Sequence, residues 1–98
     1  MSGYRPQNSG NRSAQRLGPT ISRRLRAAGW NVSPAARKHK ADGIYVSAMG
    51  DFISVLVDLG GRSAGEAQAL AETVRGWGCV PQVKDEAGYS LVHFTYGR

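Results

Sequence analysis

Residues 1 to 40 of the chain contain nine lysines and arginines and no aspartate or glutamate. Arg37, Lys38 and Lys40 surround His39 in an unbroken basic run, Arg23, Arg24 and Arg26 stand close together ahead of it, and Arg5, Arg12 and Arg16 punctuate the N-terminus. This mixture suits one kind of chemistry, the binding of anions. Guanidinium forks grip phosphate or carboxylate oxygens in pairs, and flexible ammonium groups supply longer-range attraction. Residues 41 to 98 reverse the balance, with four basic residues against seven acids, so the net charge of +6 comes from the first part of the chain. Segregation of this kind predicts a polyanionic partner, either nucleic acid (DNA or RNA) or an acidic protein surface.

Reactive groups are sparse. His39 falls in a loop and His93 in a strand, without a second histidine or a carboxylate at ligand spacing. Cys79 is the only cysteine, so neither an intramolecular disulfide nor a multi-cysteine metal site can be built. It follows a helix end, a position that favours the neutral thiol. Asp42, Asp51 and Asp58 bracket one hairpin as turn and strand-end residues. No nucleophile, base and orienting group can be named together. The expectation is therefore a non-enzymatic protein with no cofactor and no metal site.

The elements that position the basic residues follow from periodicity. Residues 1 to 18, polar and aperiodic, cannot bury enough apolar surface to offset the entropy of ordering, and read as a flexible basic arm ahead of a single domain over 19 to 98. Pro19 and Thr20 open a helix whose apolar face carries Ile21, Leu25 and Ala28, with Arg23, Arg24 and Arg26 pointing away from it. Gly29 stops this helix and Trp30 folds back on its last turn. Residues 43 to 59 alternate as a β-hairpin, Ile44, Val46 and Ala48 leading to a turn at Gly50 and Asp51, then Ile53, Val55, Val57 and Leu59.

A second helix opens at Ser63, with Glu66 three places on as a capping box, and buries Ala67, Leu70, Ala71, Val74 and Trp77 before Gly76 and Gly78. A second hairpin follows, with Pro81 marking an edge strand. The stretches 25 to 32 and 74 to 81 share their helix-end residues, Gly29 matching Gly78, which makes an internal α-β-β duplication conceivable.

The order helix, hairpin, helix, hairpin predicts an α+β two-layer sandwich. A four-stranded antiparallel sheet carries both helices on one face, as in a ferredoxin-like fold permuted so that its first strand comes last. The strands at 52 to 59 and 88 to 96 form the central pair, and the other sheet face is open. Phe52, Tyr89 and His93 on that open face could stack on bases, but a homodimer interface or plain core packing is the expectation favoured over stacking.

Two short motifs bear on function. Gly43, Ile44 and Tyr45 match the first half of the GIY-YIG nuclease signature, but no second half follows, and an ordinary strand accounts for them. The stretch 87 to 96 is similar to the RNP1 box of RNA-recognition motifs: Gly88, Tyr89, Val92 and Phe94 match, while Ala87 replaces the basic residue and Leu91 a stacking aromatic. That resemblance implies base stacking on a sheet face. No apolar run is long enough to cross a bilayer and the N-terminus lacks a signal-peptide core, so the expectation is a cytoplasmic protein without a membrane partner. Abundant Gly, Ala and Arg suggest a GC-rich source, such as a phage or mobile-element accessory gene of an actinobacterium. The functional expectation is a small nucleic-acid-binding module. The competing one is a phage assembly component or inhibitor whose basic arm orders on an acidic partner.

Overall fold

The computed structural model describes residues 17–34 and 42–96. They form a helix over 17–27 (α1), strands Gly43–Ala48 (β1) and Ile53–Asp58 (β2), a 3-10 turn Gly60–Arg62, helix Ser63–Arg75 (α2), and strands Gln82–Glu86 (β3) and Tyr89–Phe94 (β4). The helix–hairpin–helix–hairpin order is as expected. All neighbouring strands are antiparallel, in the spatial order β1-β2-β4-β3. This is the ferredoxin-like strand order with the first strand moved to the end, and β2 and β4 are the central pair.

One face of the sheet makes the core. Ile53, Val55 and Val57 alternate inward along β2, and the register sets them beside Ile44, Val46 and Ala48 on one side and Val92 and Phe94 on the other. Ile21 and Leu25 from α1 and Ala67, Leu70, Ala71 and Val74 from α2 close over this face. Each fully buried Val, Leu or Ile contributes roughly 1.5–3 kcal/mol of transfer free energy. The alanines on α2 let its backbone approach the sheet.

The two α-β-β halves lie about an approximate two-fold axis between β2 and β4. Trp30, just past α1, donates its indole N–H to Thr73 Oγ1 near the end of α2, and Arg24 of α1 lies over Trp77, just past α2, so the helices run antiparallel. Both helices end in the same way. Gly29 and Gly78 take φ of 100° and 93°, a region that costs an L-residue about 1–2 kcal/mol. The next amide reaches back to the carbonyl five residues earlier, Trp30 N–H to Leu25 at 2.9 Å and Cys79 N–H to Val74 at 3.1 Å.

Ser63 departs from the expected capping box. It is already helical, its amide bonded to the Gly60 carbonyl, because the 3-10 turn runs directly into α2. Arg62 holds the cap position and no side chain caps the helix. The buried Ser63 hydroxyl instead accepts the Leu59 N–H at 2.8 Å and donates to the Gly88 carbonyl at 3.2 Å, tying the end of β2 to the β3–β4 turn. Edge strand β3 presents Lys84, Asp85 and Glu86, charges that discourage pairing with another sheet. Ser63→Ala is expected to cost about 1–3 kcal/mol by leaving an amide and a carbonyl unpaired, read as a lower urea midpoint; a midpoint equal to that of the parent would refute the tie.

Candidate nucleic-acid interface

At about 100° per residue, Ile21 and Leu25 share the buried side of α1, while Arg26, Arg23 and Arg24 fan over about 160° of the other. All three arginines are exposed, and each has a different setting. Arg23, at the centre of the fan, has no hydrogen-bond or ion-pair partner among the described residues. Arg26 leans to one flank, where its Nε and Nη2 donate to the Val32 carbonyl at 3.2 and 3.1 Å.

Arg24 leans to the other flank. Its guanidinium carbon lies 4.3 Å from the centroid of Trp77 and 5.7 Å from that of Tyr96, and Nη1 donates to the Tyr96 hydroxyl at 2.6 Å. Trp77 and Tyr96 meet edge-to-face at 6.2 Å. A cation over an aromatic face gains about 0.5–1 kcal/mol at an exposed site. The C-terminal end of α2, with its partial negative charge, draws Arg24 the same way.

All of these partners are uncharged. The only ion pair among the described residues joins Arg75 to Glu72 on α2. The Arg24 and Arg26 guanidinium groups are therefore oriented without being neutralised by any carboxylate of the described residues, and each keeps N–H donors that these contacts do not use.

Val32 forms a parallel bridge to Ile44, and the Ser33 amide donates to the Ile44 carbonyl at 2.7 Å. The chain thus leaves and rejoins the described fold beside β1, next to the carbonyl that Arg26 holds. Arg37, Lys38, His39 and Lys40, like Arg5, Arg12 and Arg16, lie outside the described residues.

On the sheet face away from the helices, the register aligns Ser54 with His93 and Leu56 with Leu91. Phe52 and His93 come together, ring centroids 4.9 Å apart and tilted by 49°. Tyr89 shares their face but not their place: it pairs with Glu86 at the far end of β4, about 13 Å from His93 along the strand. Phe52 and His93, with Val80, Gln82, Phe94 and Thr95, line a shallow depression of about 300 Å³.

Asp42 and Asp58 lie at one end of the first hairpin and Asp51 at the other, and no group of three potential metal ligands forms among the described residues. Burial pushes the Cys79 thiol above its ordinary value, with the nearby Arg24 charge opposing the shift. Periodicity had identified the arginine face of α1. It had not identified the Arg24–Trp77–Tyr96 cluster, whose members come from three distant parts of the chain and carry no local signal.

No family model, curated protein or solved structure matches the chain.

A raised thiol pKa leaves less thiolate at neutral pH. Iodoacetamide alkylation of Cys79 is therefore expected to reach half its maximal rate at a higher pH than for a free cysteine peptide, and at a higher pH still in Arg24→Ala. An unchanged profile in that variant would contradict the proximity of the two groups.

Proposed function

We propose that the chain is a small non-catalytic module that binds nucleic acid through the phosphate backbone, with the outward face of α1 as its docking surface. The observation that carries this reading is that Arg24 and Arg26 are held by an indole, a phenol and a carbonyl, and that none of the three α1 arginines pairs with a carboxylate among the described residues. A backbone phosphate arriving at α1 meets Arg24 already seated over Trp77 and Arg26 already bonded to the Val32 carbonyl, so less side-chain entropy is lost at those two contacts. The basic residues at 5, 12, 16, 37, 38 and 40 add charge in the same part of the sequence. Readout is mainly by charge and shape, because the described residues form no sequence-reading element such as a helix-turn-helix or a zinc finger.

No helix among the described residues is long and apolar enough to cross a membrane. A cytoplasmic site of action, in an accessory role for a phage or mobile element, fits its composition. An acidic protein would compete for the same arginines, and the half-exposed open face would then supply apolar anchors or a homodimer contact.

Arg23→Glu combined with Arg26→Glu reverses charge at two exposed positions. Affinity for a short oligonucleotide at low salt is expected to fall at least about tenfold, from loss of roughly two phosphate contacts and added repulsion, with the circular-dichroism melt close to the parent's. An unchanged isotherm removes α1 as the docking surface. Absence of any oligonucleotide binding by the parent, with capture of an acidic protein, favours the competing reading.

A further inference from the structure

The start of β2, the start of β3 and the end of β4 converge at one end of the sheet. Two of the three large apolar side chains most exposed to solvent among the described residues are there, Val80 at 82% and Met49 at 53%. So is the tilted Phe52–His93 pair. The depression these rings line is at the small end of the range for ligand pockets, sized for one flat ring and open to solvent. Gln82 and Thr95 on its rim carry amide and hydroxyl groups that can donate to or accept from the edge of such a ring.

The connection to α1 runs through adjacent residues. Thr95 lines the depression on the open face, and Tyr96, the next residue, accepts the hydrogen bond from Arg24 on the helix face. An aromatic slot and a guanidinium seated over an indole thus stand on the two sides of a single sheet end.

A duplex cannot use this arrangement, because its bases are paired and stacked on one another. An unpaired base can leave its strand and place its ring against Phe52 and His93 while its backbone continues to Arg24. Resting on the reading of the module as a nucleic-acid binder, we propose that this sheet end is a single-strand subsite, with Phe52 and His93 stacking one base and Arg24 holding a neighbouring phosphate.

The test compares a fluorescein-labelled oligothymidylate with a hairpin duplex of the same length. The parent is expected to prefer the oligothymidylate. Phe52→Ala should weaken oligothymidylate binding about tenfold or more, the effect of losing one stacked base, leave the duplex within about twofold, and be rescued by Phe52→Tyr. Val80→Asp, at a side chain so exposed that folding is not in question, should lower the same single-strand preference. Equal oligothymidylate binding by Phe52→Ala and Val80→Asp and the parent would overturn the subsite while leaving the α1 reading in place. Failure of the parent to bind either probe would overturn both.

Discussion

Both helices must be seated on the same face of one small sheet, and the rest of the molecule follows from that constraint. In 98 residues with a single cysteine, no second core and no disulfide is available. The inward faces of β2 and β4 therefore have to meet Ile21 and Leu25 from one helix and Leu70 and Val74 from the other. Once they do, the remaining side of α1 is turned away from the core, and among the described residues no helix covers the opposite face of the sheet. The surfaces available for binding are what this packing leaves over.

The charge distribution gives those leftover surfaces their character. Arg24 and Arg26 are tethered by Tyr96, Trp77 and the Val32 carbonyl, none of which carries charge. A carboxylate in any of these places would cancel the field, whereas an indole or a carbonyl fixes the geometry and keeps it. The same contacts hold the molecule together, since Arg24 and Trp30 both bridge from the α1 side to the end of α2. Arg24 thus combines packing with charge, while Arg23 has no partner among the described residues, which makes Arg23 the cleaner probe of the proposed binding.

The sequence was informative where the physics is local. Alternation along Ile53, Val55 and Val57 identified the core strand, and Pro81 marked the edge before β3. Gly29 and Gly78 were readable as helix stops because a left-handed residue there needs no knowledge of the rest of the fold. Ser63 misled for a related reason: Ser followed by Glu66 is a sound local cap signal, but the 3-10 turn before it drew Ser63 into the helix and gave its hydroxyl to Leu59 and Gly88. Arg24 and Tyr96 are 72 residues apart, and only the tertiary fold brings them together. Phe52, Tyr89 and His93 were correctly assigned to one face by their period of two. Period fixes a face and not a neighbourhood, and Tyr89 sits a strand's length from the other two.

The central claim, that uncompensated cationic groups of the first forty residues contact phosphates, is tested most directly by the salt dependence of oligonucleotide affinity. The account predicts a straight line of log affinity against log salt concentration, with a steep negative slope of several units reporting the counterions released by each phosphate contact. A slope near zero, or affinity that persists undiminished at high salt, would contradict it.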